Sequence, residues 1–269
     1  MPDDAKSRVQ AQFGANAANY ATSSVHAKGA SLARLVELVA PQANWSALDI
    51  ATGAGHTALA FAPHVAKVIA SDLTPEMLAE AAKLAAARRL TNFSTAVADA
   101  EQLPFANATF DLVTCRIAPH HFPDIPAFVS EVQRVLKPGA TFALVDNVAP
   151  DTETTPGYSR AELSDAGAVY NAFEKIRDPS HGRALTTAEW REIVEDAGLA
   201  IRHTEHSPKA MLFDDWCRNM AVPTETVPKL AATLDSASPA LRAFLQPSNL
   251  DGVRGFVLSE LILIAGKGK

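Results

Sequence analysis

Three aspartates stand near the ends of short apolar segments in the first half of the sequence. Asp49 lies in "SALDIA", Asp72 ends "KVIASD" and Asp99 ends "NFSTAVAD". Ligands of parallel sheets bind beyond the carboxyl ends of the strands, so the three carboxylates would share one rim if these segments are such strands. A carboxylate is costly to bury without hydrogen-bond donors. Three of them at one rim therefore indicate a polar ligand that carries N–H and O–H groups.

Two adjacent histidines follow the next apolar segment. The stretch "APHHF" places His120 and His121 just past "FDLVTCRIA", on the same predicted rim. Histidine accepts a proton near neutral pH, so either side chain could serve as a general base. The alternative is structural: one histidine caps a helix or bonds the backbone, and the other faces solvent.

A glycine-rich turn follows the first apolar segment in "LDIATGAGH". Its pattern is Gly53, Gly55 and then Ala58, which lacks the third glycine of a dinucleotide-binding loop and the lysine of a P-loop. Asp49 precedes the turn and would repel a pyrophosphate, but it would suit a cationic amino group. Asp72 is placed to accept from both hydroxyls of a ribose, and Asp99 from an adenine amine. A cation, a ribose and an adenine describe S-adenosylmethionine better than a nicotinamide dinucleotide.

Strand-like and helix-like segments alternate through this part of the chain. One helix has clear start signals in Thr74 as N-cap, Pro75 and Glu76, and another is predicted to end at Pro138 and Gly139. This alternation predicts an α/β fold with a mostly parallel sheet and helices on both faces. The predicted strands are "SALDIA", "KVIASD", "NFSTAVAD", "FDLVTCRIA" and "TFALVDNV", and the helices between them are "HTALAFAPHV", "TPEMLAEAAKLAAARRL" and "IPAFVSEVQRVLKPGA".

Three regions depart from this alternation and are predicted to be lids. Residues 1–40 form an N-terminal helical lid, and residues 41–269 form the ligand-binding domain. Within that domain, lid insertions are expected at about 150–186 and 209–247. Such lids would enclose a pocket at the sheet rim.

Residues 45–148 closely resemble the class I S-adenosylmethionine-dependent methyltransferases. "LDIATGAGH" is similar to the family's first motif, "ASDLTPEML" to its ribose-binding segment, "VADAEQLPFANATFDLVTCRIAPHHFPD" to its adenine segment and fourth strand, and "EVQRVLKPGATFALVD" to the elements that close the fold. The likeness is greatest to small-molecule enzymes of the ubiquinone and menaquinone C-methyltransferase type. It implies a Rossmann-like, seven-stranded sheet with helices on both faces and helical lid insertions. Two departures are Ala51 and His56, which stand where the family often has glycines.

The resemblance also assigns roles to individual residues. Tyr20 could close over the methionine end of the cofactor, or it could simply pack on the first helix. Arg116 is expected to line the cofactor with its backbone rather than its guanidinium. The cofactor-binding residues implied are Tyr20, Asp49, Ala51, Thr52, Gly53, Gly55, Asp72, Leu73, Met77, Asp99, Ala100 and Arg116, and the catalytic candidates are His120 and His121.

The expected reaction is methyl transfer from S-adenosylmethionine to carbon, oxygen or nitrogen of a small molecule, by in-line displacement. The alternatives are a protein that binds this cofactor without methyl transfer and a nicotinamide-dependent oxidoreductase. Methylation of protein or tRNA is less expected, because the chain is acidic and shows no docking domain.

Composition narrows the partners and the location. The 269 residues are 48% hydrophobic and carry a net charge of −6 without a basic run, so no nucleic acid partner is expected. The longest apolar stretch, "FVLSELILIAG", is short and contains Glu260, so no membrane insertion is expected. No secretory signal is visible, and Cys115 and Cys217 indicate neither a disulfide framework nor a metal site, which favours a cytoplasmic location. A homodimer is left open.

Overall fold

The computed structural model describes residues 2–22 and 29–268; within the first range, side chains are described for residues 4–14 and 17. The chain divides into two compact units, each of which is described by itself. The first contains Met1–Asp146, Arg191–Glu205 and Ile262–Lys269, and the second contains Asn147–Trp190 and His206–Leu261.

The elements follow one another in the alternating order that the sequence predicts. The described helices are α1 (Pro2–Thr22), α2 (Ala30–Val39), α3 (His56–Phe61), α4 (Pro75–Ala87), α5 (Ile125–Val135), α6 (Arg160–Arg177), α7 (Thr187–Asp196), α8 (Phe213–Arg218), α9 (Val227–Asp235) and α10 (Pro239–Leu245). The strands are β1 (Ser46–Ile50), β2 (Lys67–Asp72), β3 (Phe93–Val97), β4 (Phe110–Arg116), β5 (Leu136–Asn147), β6 (Leu199–Leu212), β7 (Ser248–Leu250) and β8 (Val253–Lys267).

The sheet has the strand order β3-β2-β1-β4-β5-β8-β6, with the short β7 paired antiparallel to β8. The neighbours β1 and β2, β2 and β3, β1 and β4, and β4 and β5 are parallel. The mostly parallel α/β sheet with seven main strands is therefore confirmed, and β7 is an addition that the sequence did not reveal. The chain runs outward from β1 to β3 and returns to place β4 beside β1. That reversal opens a crevice at the carboxyl ends of β1 and β4, which is where such sheets bind ligands.

The predicted start of α4 is confirmed, with Thr74 at the N-cap position and Pro75 as the first helical residue. Thr74 makes no side-chain cap, and its N–H donates to the Asp72 carboxylate at 2.8 Å. The predicted end of α5 is different. Helix α5 ends at Val135 and β5 begins at Leu136, ahead of the predicted stop. The cause lies in Pro138, because the residue before a proline is confined to extended backbone and so favours the strand.

Each unit has its own apolar core. The core of the first unit gathers buried residues of α2, α3 and the central strands, among them Leu35, Phe61, Val68, Leu112 and Val145. This packing holds β1, β2 and β4 in place and so fixes the positions of their carboxyl ends.

The core of the second unit is more aromatic. Phe173 of α6 stacks on Trp216 of α8 with 4.7 Å between ring centroids, and Phe256 meets Trp216 edge-on at 5.1 Å. Helix α6 begins with a capping box in which Ser159 and Glu162 exchange hydrogen bonds. The predicted insertions at 150–186 and 209–247 fall entirely in this unit, and their function as lids stays a prediction.

Candidate active site

A cavity lies in the first unit, at the carboxyl ends of the parallel strands; its empty space, including the part open to solvent, is about 1030 Å³. Most of the predicted cofactor residues line it, namely Ala51, Thr52, Gly53, Asp72, Leu73, Met77, Asp99, Ala100 and Arg116.

The glycine-rich turn wraps the floor of this cavity through left-handed backbone. Ala51, Gly53 and Gly55 have φ values of 50°, 54° and 86°. At Gly55 an added Cβ would lie 2.8 Å from the Cβ of Ala81, so only glycine lets the turn pack this closely on α4. Gly55 therefore shapes the turn from behind rather than lining the cavity. Gly53 faces open space and its N–H donates to Asp72 at 2.8 Å.

Asp49 lies beneath the turn and is 1% exposed. Its carboxylate accepts from the Thr52 hydroxyl at 2.5 Å, the Thr114 hydroxyl at 2.6 Å and the Ala58 N–H at 3.1 Å. Burial raises the pKa of Asp49 to about 6, although these hydrogen bonds favour the charged form. The residue does not line the cavity, so its visible task is to tie the turn to β4 and α3. The predicted contact with an amino group of a ligand stays a prediction.

Asp72 faces the cavity from the end of β2. One carboxylate oxygen accepts from the Thr74 N–H and the other from the Gly53 N–H, both at 2.8 Å. Burial raises the pKa of this carboxyl above its ordinary value, and the backbone donors oppose that shift. The two N–H groups hold the carboxylate in place while its remaining lone pairs stay available to hydroxyl donors.

Asp99 carries a partner that the sequence did not suggest. Its carboxylate accepts from the Glu101 N–H at 3.0 Å and from the ammonium of Lys6 at 2.6 Å. Lys6 also pairs with Glu101 at 2.6 Å. Partial burial acts to lower the pKa of Lys6, but the bonds to the two carboxylates outweigh it and raise that pKa. Lys6 had no motif around it, so no sequence signal pointed to this pairing.

Helix α1 contributes further residues to the cavity. Val9 and Phe13 line it, Gln10 donates to the carbonyl of Leu73 at 2.9 Å, and Phe13 meets the ring of His121 edge-on at 5.1 Å. Tyr20 belongs to the same helix, but its side chain lies outside the described residues. The polar composition of α1 concealed these contacts from sequence reasoning.

Arg116 lines the cavity, and its Nε donates to the Thr57 hydroxyl at 3.2 Å near the start of α3. The contact of its backbone with a cofactor stays a prediction. Met77 is buried against the cavity from α4. His56, the first residue of α3, also lines the cavity, although the sequence marked it only as a departure from the family pattern.

The two histidines lie on the turn Pro119–His121 with 4.3 Å between ring centroids. His121 lines the cavity. His120 is buried behind it, and its Nδ1 lies 2.6 Å from a carboxylate oxygen of Asp146 in β5. The sequence analysis did not single out Asp146, because it lies inside the predicted strand "TFALVDNV" rather than after it. The signal that could have found it is a carboxylate at the end of an apolar run.

The donor and acceptor pattern of the cavity decides which ligand it suits. The carboxylates that line the cavity, Asp72, Asp99 and Glu101, can accept from hydroxyl, amine and ammonium groups, whereas the glycine turn at residues 51–55 offers no basic side chain to a phosphate. Among the described residues, no cluster of three or more potential metal-ligating side chains is present.

Comparison with known proteins agrees with this pattern. A family described as "Methyltransferase domain" matches residues 48–144. The uncharacterized methyltransferase YcgJ of Bacillus subtilis is 33% identical over 94% of this chain and 96% of its own length. This chain is a class I S-adenosylmethionine-dependent methyltransferase.

Solved structures of similar methyltransferases share the fold along nearly the whole chain. The crystal structure of YcgJ superposes with a TM-score of 0.81 at 31% identity, covering 89% of this chain and 98% of that chain. Protein BH2331 of Bacillus halodurans C-125 gives a TM-score of 0.81 at 37% identity, covering 90% and 100%. A demethylmenaquinone methyltransferase of Deinococcus radiodurans is 37% identical, but over only 38% of this chain and 43% of its own length.

Proposed function

We propose that this methyltransferase binds S-adenosylmethionine in the cavity of the first unit and methylates a small-molecule acceptor there. The observation that carries the proposal is the acceptor pattern: Asp72 and Asp99 line one cavity beside a glycine turn that is left-handed at Ala51 and Gly53. S-adenosylmethionine presents the matching donors, which are two ribose hydroxyls, an adenine amine and an ammonium group.

The residues present fit this cofactor. Asp72 is held by two backbone N–H groups in an orientation that suits adjacent ribose hydroxyls. Asp99 and the buried Ala100 suit the adenine, and Met77 supplies apolar surface. Asp49 would help to bind the ammonium group of the cofactor indirectly, by holding the glycine turn in place. When bound, the cofactor supplies an electrophilic methyl group and its own leaving group.

The work left to this chain is to position the acceptor and to exclude water. Val9 and Phe13 of α1 close one side of the cavity with apolar surface. His121, which lines the cavity beside Phe13, would face the acceptor. An oriented acceptor in a dry site reacts faster because little orientational entropy is lost in the displacement.

A small-molecule acceptor agrees with the acidic net charge of −6 and with the apolar side chains of Val9 and Phe13 that line the cavity. We also propose a cytoplasmic location, which is supported by two buried, free cysteines. Of the helices in the part of the chain that the structure describes, none has the length and apolar character of a membrane span.

Turnover tests the proposal. The purified chain is incubated with S-adenosylmethionine and a filtered small-molecule extract of cells, and S-adenosylhomocysteine and methylated products are followed by mass spectrometry. We expect S-adenosylhomocysteine only when both extract and wild-type chain are present, and much less of it when Asp72→Asn replaces the wild type. Binding of the cofactor without any product would instead identify a binding protein that transfers no methyl group.

A further inference from the structure

The proposed cofactor carries one anionic group, the carboxylate of its methionine end, which the acidic side chains of the cavity cannot bind. Asp72, Asp99 and Glu101 line the cavity and would repel it. A guanidinium suits such a group best, because two parallel N–H groups match the two carboxylate oxygens. Among the described residues, the basic side chains that line the cavity are Lys6, His56, Arg116 and His121.

Lys6 belongs to the part of the cavity that is proposed for the adenine. Its ammonium lies 2.6 Å from a carboxylate oxygen of Asp99 and 2.6 Å from one of Glu101. Both carboxylates follow strand β3. Lys6 therefore already pairs with two anions there.

Arg116 lies beside the glycine turn instead. In the parallel pair of β1 and β4, Ile50 is level with Cys115, so Arg116 follows at the level of Ala51, where the turn begins. Arg116 is half-buried and lines the cavity, and its Nε donates to the Thr57 hydroxyl at 3.2 Å in the first turn of α3. A guanidinium has five N–H groups and can serve more than one acceptor. The bond to Thr57 holds this cation next to the turn.

Arg116 and Asp49 place opposite charges at this part of the cavity. Burial raises the pKa of Asp49, and the nearby positive charge of Arg116 acts in the opposite direction together with the hydrogen bonds to that carboxylate. The guanidinium is therefore close enough to influence the ionisation of Asp49. The amino-acid end of S-adenosylmethionine also carries one negative and one positive charge. The two side chains thus match a zwitterion better than they match an amine alone.

The two histidines are less suited to hold a carboxylate. Histidine is only partly protonated near neutral pH, whereas a guanidinium keeps its charge. His121 follows β4 and lies against Phe13 of α1. His56 is the neighbour of Thr57 at the start of α3, so a variant of it belongs in the test.

We propose that the guanidinium of Arg116 binds the carboxylate of the cofactor, and that this pairing selects S-adenosylmethionine over related compounds that lack the carboxylate. The inference rests on the proposed function. The sulfur lies between the ribose and the amino-acid end, so Asp72 and Arg116 together hold the cofactor on both sides of it. Holding both sides restricts the direction in which the methyl group points. Contact through the Arg116 backbone alone would produce no such selection.

Titration calorimetry with three ligands tests the inference without any methyl acceptor. Decarboxylated S-adenosylmethionine lacks only the carboxylate, and 5′-methylthioadenosine lacks the whole amino-acid chain. We expect the wild type to bind S-adenosylmethionine at least tenfold more tightly than its decarboxylated form. In Arg116→Met this preference should fall below threefold, through weaker binding of S-adenosylmethionine. The affinity for 5′-methylthioadenosine should stay within twofold, which shows that the ribose and adenine parts of the site are intact.

Matched variants separate this contact from general effects of charge. Lys6→Met also removes a positive charge from the cavity, and it should keep the preference for the carboxylated form, as should His56→Gln. Arg191 is a half-buried arginine of the same unit that donates to the Thr204 hydroxyl at 2.8 Å and lies outside the set of described residues that line the cavity. Arg191→Met should leave all three affinities unchanged. Arg116→Lys keeps the charge without the paired N–H groups, so it should retain part of the preference.

Three results would overturn the inference. The first is equal binding of S-adenosylmethionine and its decarboxylated form by the wild type. The second is a loss of the preference in Lys6→Met or His56→Gln as complete as that in Arg116→Met. The third is a loss of 5′-methylthioadenosine binding in both Arg116 variants, since Arg116 would then act on the fold rather than on the carboxylate. A wild-type chain that binds none of the three ligands would instead overturn the proposed function.

Discussion

Asp49 is the penultimate residue of β1 and Asp99 follows β3 by two residues, yet the surroundings of these two carboxylates are opposite. Asp49 is 1% exposed and receives three donors from the protein itself. The Asp99 side chain is 30% exposed, lines the cavity and is paired with Lys6 of helix α1. Asp72 lies between these extremes, buried but facing the cavity. A carboxylate whose hydrogen-bond donors all come from the protein stabilises the fold. A carboxylate whose lone pairs face a cavity is placed to bind a ligand.

The largest effect is expected at Asp72, where both roles meet. Asp72→Asn removes a charged acceptor from the cavity and weakens the hold on the Gly53 N–H. We expect the affinity for S-adenosylmethionine to fall by about 2–4 kcal/mol, which is roughly 30- to 1,000-fold. Titration calorimetry measures it. Unchanged affinity would mean that the ribose lies elsewhere.

The contribution of Asp49 should be measurable as a dependence of the free energy of unfolding on pH, in addition to any effect on cofactor affinity. Its pKa is raised to about 6 in the folded chain, so the folded state binds the proton more tightly than the unfolded state does. Its contribution to the free energy of unfolding should therefore fall by about 3 kcal/mol as pH rises from about 4 to about 6. Chemical denaturation of the wild type and Asp49→Asn across this range measures the difference. Parallel pH curves for the two proteins would contradict the assignment.

The turn between these carboxylates gives a prediction about packing. Gly55→Ala places a Cβ 2.8 Å from that of Ala81 in a left-handed conformation, so we expect a loss of about 1–3 kcal/mol in the free energy of unfolding. Gly53→Ala is the matched control, because Gly53 is also left-handed but faces open space. It should lose about 1 kcal/mol. Equal losses of unfolding free energy in the two variants would show that the close contact with Ala81 costs nothing.

The smallest effect is expected at Lys6. The ion pairs of Lys6 join α1 to Asp99 and Glu101, but a partly exposed pair contributes only about 0.2–1 kcal/mol. Lys6→Met should therefore speed release of the cofactor by about two- to fivefold, as followed by stopped-flow fluorescence. Arg8→Met is the control, since Arg8 pairs with Asp4 on the same helix. A similar acceleration in both variants would point to the charge of α1 in general.

The part of the site that could be predicted lies where the apolar pattern of a strand and the turn residues after it indicate the same strand end. Strands β1, β2 and β4 are short apolar runs, so the positions of Asp49, Asp72 and the histidine turn followed from pattern and resemblance. The burial of each aspartate could not be predicted from the sequence, because an aspartate near the end of a strand can face either the core or the cavity. This is why the sequence placed Asp49 at the rim of the sheet without revealing that it is buried beneath the turn.

The contacts that escaped prediction join segments far apart in sequence. Lys6 reaches Asp99, and His120 reaches Asp146, through the tertiary fold rather than through any local motif. Helix α1 has no pronounced apolar face, so its sequence did not indicate that it packs beside the cavity. The hairpin of β7 and β8 was missed because Ser248–Leu250 is too short for an alternating pattern to register.

Titration calorimetry of the purified chain with S-adenosylmethionine tests the central claim most directly, with S-adenosylhomocysteine and NADH run in parallel. The acceptor pattern around Asp72 and Asp99 predicts micromolar binding of the two sulfur compounds and none of NADH. Binding of NADH alone would contradict the account, because the glycine turn above Asp49 would then hold a pyrophosphate.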